Sequence, residues 1–125
     1  MSKFKTQGFG RTFKNARKGL RIVLKSERNI RIHFMAATFI LLLGMVLGLN
    51  IVKLCILLFA IALVVVTEMI NSAIEFSLDA VFHNRYSTLV GMAKDISAGA
   101  VMFVTFVAII IGVMIFVPAI LAYFL

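Results

Sequence analysis

The polar and apolar positions of this chain fall into two regimes. From Phe9 to Arg31 they alternate with a helical period. Phe9, Phe13, Ala16, Leu20, Val23, Leu24 and Ile30 share one side of the projection, and Arg11, Lys14, Arg17, Lys18, Arg21, Lys25 and Arg28 the other. Ile22 on the polar side and Gly19, a weak helix former, are the departures. A helix so patterned lies in the membrane interface, with its apolar face against acyl chains and its cations among headgroups. Beyond residue 31 the chain becomes almost continuously apolar, in segments of about 32–49, 51–81 and 93–125. Each is long enough to cross a hydrocarbon core of roughly 30 Å. Gly48-Leu49-Asn50 reads as a tight turn, Lys53 can snorkel to the interface, and 83–92 is the one sizeable polar loop. Gly44-x-x-x-Gly48 has the small-residue spacing of a close helix contact, and Pro118 permits a late kink. The expected fold is an all-α membrane protein of one domain, residues 1–125. It has a flexible start over 1–8, an N-terminal interfacial amphipathic helix over 9–31 and three transmembrane helices.

The polar residues that interrupt the apolar pattern carry the chemistry. Three of the five acidic residues, Glu68, Glu75 and Asp79, fall within twelve positions at the end of the second span. At about 100° per residue, positions i, i+7 and i+11 lie within roughly 40° of one another. The three carboxylates therefore make one stripe, flanked by Asn71 and Ser72, while Ile70, Ile74, Phe76 and Leu78 keep the other faces apolar. Ionisable groups at a membrane helix are costly unless paired, hydrated or bound to a cation, so they point to function. The bland alternative is a helix end already in water. Glu27 is a second exception, because its angle sets it on the apolar face of the first helix. There an i, i+4 pair with Arg31 competes with a functional role.

Charge turns these positions into a site. Of the thirteen Lys and Arg residues, ten precede residue 32, whereas the chain as a whole is 62% hydrophobic with a net charge of +8. A nucleic-acid binder could carry such a basic arm, but the remaining chain could not stay in water, so no nucleic-acid partner is expected. The arm instead lies on anionic lipid and holds the N-terminus in the cytoplasm. Three crossings then put the 48–51 turn and the C-terminus outside and the 83–92 loop inside. Glu27, the acidic stripe and Lys94-Asp95 thereby converge at the cytoplasmic interface. Carboxylates crowded together repel, which calls for a cation among them. With Asn71 and Lys94 they suit Mg2+ and a polyphosphate, since Mg2+ takes oxygen ligands and keeps one or two carboxylates plus substrate phosphates. The lone Cys55 excludes a disulfide framework, and the first apolar run begins too late for a cleaved signal peptide. No P-loop, protein-kinase signature, C-x-x-C or H-E-x-x-H is present. His33 and His83 read as interface residues.

Four motifs in order, Phe13-Lys14-Asn15-Ala16-x-Lys18-Gly19, Ser26-Glu27-Arg28-Asn29-x-Arg31-Ile32-His33, Glu68-x-x-Asn71-Ser72-Ala73-Ile74-Glu75-x-x-x-Asp79 and Ala93-Lys94-Asp95-Ile96-x-Ala98-Gly99-Ala100-Val101, closely resemble the small bacterial integral-membrane diacylglycerol kinase family. The Glu-Arg-Asn and Arg-Ile-His pieces resemble its Gram-positive branch, which acts on undecaprenol. The resemblance covers about residues 8–118. It implies a homotrimer in the bacterial inner membrane with active sites shared between subunits, and transfer of the ATP γ-phosphate to a lipid hydroxyl with Mg2+. It further implies Glu68 as general base in contact with the lipid, Glu27 and Glu75 as metal ligands that also meet ATP, and Asn71, Lys94 and Asp95 around the triphosphate. Arg11 matches an arginine near both substrates, and Arg85 and Tyr86 fall in the nucleotide-contacting loop. Ser97 and Ala98 flank the place of a lipid-hydroxyl contact. The sequence departs from the family where Ser87 follows Tyr86 and where Met92 precedes Ala-Lys-Asp.

Mechanistically, Glu68 would take the proton of the lipid hydroxyl. Glu75, two turns and roughly 10 Å away, would hold Mg2+ beside Glu27. The alternatives are a diacylglycerol kinase making phosphatidic acid, a small cation-coupled transporter, and a non-catalytic assembly subunit. Transporter sites lie near the bilayer midplane rather than at one interface, and an assembly subunit leaves the acidic stripe unexplained.

Overall fold

The computed structural model describes residues 8–125, so all but Gly8 of the start at 1–8 lies outside the described residues. Four helices follow in order: α1 (Phe9–Ser26), α2 (Arg28–Val46), α3 (Ile51–Phe82) and α4 (Thr88–Phe124). The last three are each long and apolar enough to cross a membrane. Packing is sequential, with α1 on α2, α2 on α3, and the most extensive contact between α3 and α4. Many large apolar side chains face outward, among them Phe59, Phe103 and Phe106. That surface suits hydrocarbon or a neighbouring chain rather than water.

Each joint has a local cause. The helix expected over 9–31 is broken at Glu27, which has extended backbone (φ −111°, ψ 108°) and separates α1 from α2. A single extended residue is enough to end one helix and begin the next. α2 ends through Gly48, whose φ of +76° is the left-handed value a helix terminus favours, with Leu49 N–H donating to Gly44 O at 3.0 Å. Gly48 therefore makes the turn and is not half of a helix-contact pair. Gly44 alone supplies the close approach, since a Cβ there would meet the Leu49 and Leu54 side chains at 3.0 and 3.1 Å.

Asn50 starts α3, its Oδ1 accepting from Lys53 N–H at 2.9 Å. Replacing Asn50 with Ala removes this cap and should cost about 1 kcal/mol. A lower thermal midpoint in detergent with unchanged activity would register it, and an unchanged midpoint would mean the cap carries no stability. At the other end α3 closes on His83 and Asn84, both left-handed, whose N–H groups converge on Asp79 O. Ser87 then caps α4, accepting from Val90 N–H at 3.2 Å. The loop is consequently 83–87 rather than 83–92, and Thr88–Met92 is the opening turn of α4.

At 1.5 Å per residue α3 and α4 are roughly 48 and 55 Å long, well beyond a hydrocarbon core of about 30 Å. Their paired ends around the 83–87 loop form a hairpin that carries the acidic stripe.

Candidate active site

The buried side of α3 runs through Leu57, Ala60, Val64, Glu68 and Ser72, at spacings of three and four. Glu68 therefore continues the packing stripe rather than facing solvent. It is only 7% exposed, and its Oε2 has no hydrogen-bond partner. A buried polar oxygen without a partner is costly unless it meets a donor from outside the chain.

Two polar ties hold α4 against the same face. Ser97 Oγ donates to Asn71 Oδ1 at 2.6 Å, and Lys94 Nζ donates to Asp79 Oδ1 at 2.7 Å. They fix the register of the hairpin one turn from Glu68 and at its far end. Glu75 lies between them and acts on the Lys94 ammonium through its charge. Part of the repulsion in the acidic stripe is thus relieved by a lysine of the chain itself.

The remaining sequence-predicted residues are not drawn into this cluster. Asp95, Arg11, Arg85 and Ala98 are exposed, as is Tyr86, whose ring lies across Gly91. A Cβ at Gly91 would meet the Tyr86 hydroxyl oxygen at 2.7 Å, so glycine gives the ring its seat. Asp95 follows Lys94 directly, and neighbours on a helix point about 100° apart. Lys94 turns to α3 and Asp95 turns away.

Glu27 is half-buried at the α1–α2 joint and makes no ion pair among the described residues. The pairing with Arg31 does not form, because that guanidinium donates instead to the carbonyls of Leu24 and Lys25. Among the described residues no three His, Cys, Asp or Glu side chains come together to hold a metal, so the carboxylates do not gather as tightly as expected. The donor set nonetheless fits Mg2+, which needs only one or two protein carboxylates when phosphates complete its shell.

A groove of about 300 Å³ opens between α2, α3 and α4, one turn from Glu68 on the membrane side. Its lining is apolar except for His33 and Thr105. His83, by contrast, ends a helix.

A family model described as prokaryotic diacylglycerol kinase matches residues 14–116. The chain belongs to this family. It is accordingly a kinase and a membrane protein. An undecaprenol kinase of Bacillus subtilis is 33% identical over 110 residues, covering 88% of this chain and 89% of that protein. A diacylglycerol kinase of Escherichia coli is 32% identical over 108 residues, 84% of this kinase and 88% of that one. A diacylglycerol kinase of Synechocystis sp. is 29% identical over 111 residues, 89% of this kinase but 63% of that protein.

Sequence reasoning named Ser72 and Ser97 but not their burial beside Glu68 and Asn71. Asp79 was legible as part of the stripe but not as the partner of Lys94. The signal for Ser87 was present, a serine just ahead of an apolar run, where N-caps occur. No local signal marks Arg31 as a residue that reaches back to α1.

Proposed function

We propose that this kinase transfers the γ-phosphate of ATP to the hydroxyl of undecaprenol at the cytoplasmic face of the bacterial cell membrane, with Glu68 as general base. The observation that carries the reading is the buried, unpartnered Glu68 Oε2, at the head of an apolar groove. A polyprenol brings a hydroxyl to such an oxygen and a hydrocarbon chain to such a groove. The Bacillus relative named for undecaprenol and the Escherichia coli relative named for diacylglycerol match this kinase almost equally, at 33% and 32% identity. Undecaprenol is preferred on the Glu-Arg-Asn and Arg-Ile-His pieces of this chain, which resemble the branch that acts on it.

Glu68 accepts the hydroxyl proton as the new O–P bond forms, and the bond from the γ-phosphorus to the β–γ bridging oxygen breaks to release ADP. Phosphoryl transfer depends mostly on positioning and on neutralising charge. Glu27 and Glu75 would hold Mg2+, which would supply much of that neutralisation. Lys94, aimed by Asp79, takes a phosphate oxygen, and Asn71, tied to Ser97, lies against the triphosphate. Arg11, Arg85, Tyr86 and Asp95 face outward from one subunit, which suits a homotrimer whose sites are completed by a neighbour, with Asp95 meeting nucleotide across the interface. Ala98, exposed on α4, lies on the lipid side, and Ser97 beside it is buried against Asn71. α1 rests on anionic headgroups through its basic face, keeping the N-terminus cytoplasmic and the C-terminus outside.

The test is transfer of labelled γ-phosphate from ATP in detergent–lipid micelles offered undecaprenol and diacylglycerol side by side. Labelling of undecaprenol, abolished by EDTA and restored by Mg2+, is the expected result. Preferential labelling of diacylglycerol would replace the acceptor, and transfer to neither would overturn the reading.

A further inference from the structure

The joint between α1 and α2 is built from one side chain. A helix C-terminus leaves its last four carbonyls without intrahelical partners. At the end of α1, Glu27 N–H donates to Val23 O at 2.9 Å and Ser26 Oγ to Ile22 O at 2.8 Å. The next two carbonyls are taken by one atom: Arg31 Nη1, one turn into α2, donates to Leu24 O at 2.8 Å and to Lys25 O at 3.0 Å. A guanidinium is suited to this place, since its charge complements the negative end of the α1 dipole. The loop it closes encloses Glu27, the single residue outside both helices.

Two consequences follow for Glu27. Its backbone is clamped from both sides, which fixes where its side chain leaves the joint. Its i+4 cation is occupied elsewhere, and the carboxylate has no ion pair among the described residues. We propose that Arg31 is a positioning residue, which locks α1 to α2 and thereby holds the Glu27 carboxylate toward the metal and nucleotide. This rests on Glu27 being a metal ligand, as proposed above. Arg31 itself touches neither metal nor substrate.

The experiment compares Arg31→Gln, Arg31→Lys and Glu27→Gln in the lipid-kinase assay, titrating Mg2+ at fixed ATP. Loss of an outer residue that orients a metal ligand weakens metal binding by about 10- to 100-fold. Arg31→Gln should therefore raise the Mg2+ requirement by about tenfold, with a smaller change in kcat at saturating metal. Arg31→Lys, which keeps the charge and N–H donors, should recover most of the loss. In parallel, spin labels at Lys14→Cys and Phe39→Cys, in a Cys55→Ser background and diluted with unlabelled chain, report the α1–α2 distance. That distribution should broaden in Arg31→Gln and narrow again in Arg31→Lys. An unchanged Mg2+ requirement in Arg31→Gln overturns the proposal whether or not the distance moves. If Glu27→Gln also leaves the Mg2+ requirement unchanged, the fault lies with the role of Glu27. If Glu27→Gln raises it and Arg31→Gln does not, the clamp alone is refuted.

Discussion

Glu68→Gln should lose about 10²- to 10⁴-fold in turnover, the range that general-base catalysis supplies, while ATP binding persists. The substitution preserves volume and shape, removes the negative charge and the capacity to accept a proton, and puts an NH2 donor in place of one acceptor oxygen. Burial sharpens the test. Glu68 is 7% exposed and its Oε2 is unpartnered, so water cannot easily reach the same oxygen and replace it as base. A carboxylate kept in such a place is costly to the folded state, and general acid–base work is what such placements achieve. The measurement pairs kcat for lipid phosphorylation with equilibrium ATP binding and a thermal midpoint. Retained nucleotide binding and an equal or higher midpoint, beside collapsed turnover, supports the assignment. Turnover at the unsubstituted rate would remove Glu68 from the chemistry. A fall in ATP affinity alone would move it to the nucleotide.

Periodicity carried the sequence a long way, and its failures have physical causes. The acidic stripe was readable because i, i+7 and i+11 share a helix face in any surroundings. The joint at Glu27 was not, since the apolar pattern runs through it with no Gly or Pro to mark the end, and the clamp comes from Arg31 in the following helix. Gly44 and Gly48 looked alike in spacing but differ in backbone, one helical and one left-handed. The loop is shorter than the expected 83–92 because Ser87 caps α4, so that Thr88–Met92 is already helical. The looseness of the carboxylate cluster was equally illegible: residue type gives charge, but only packing shows that Lys94 spends its charge on Asp79. The outward direction of Asp95 follows from its adjacency to Lys94 once α4 is set against α3.

Lys94→Met should lower kcat/KM for ATP by about 10- to 100-fold, the loss expected when a charge-assisted bond of roughly 1.5–3 kcal/mol to phosphate disappears. Asp79→Asn should do less, shifting the KM for ATP by under about tenfold, because it removes the aim of the ammonium and not the ammonium. The ion pair itself is 36–39% exposed at its side chains, so solvent screens it and it contributes little to stability. A midpoint shift would therefore be small, and the effect should be read in ATP kinetics. The decisive comparison is the double variant. If Asp79 acts only through Lys94, Asp79→Asn adds nothing in the Lys94→Met background, since residues serving one interaction are not additive. Additive losses would mean that Asp79 meets the nucleotide or its metal directly. No loss in Lys94→Met would leave the triphosphate without a lysine from this helix, and would assign the 2.7 Å contact to holding the α3–α4 hairpin together.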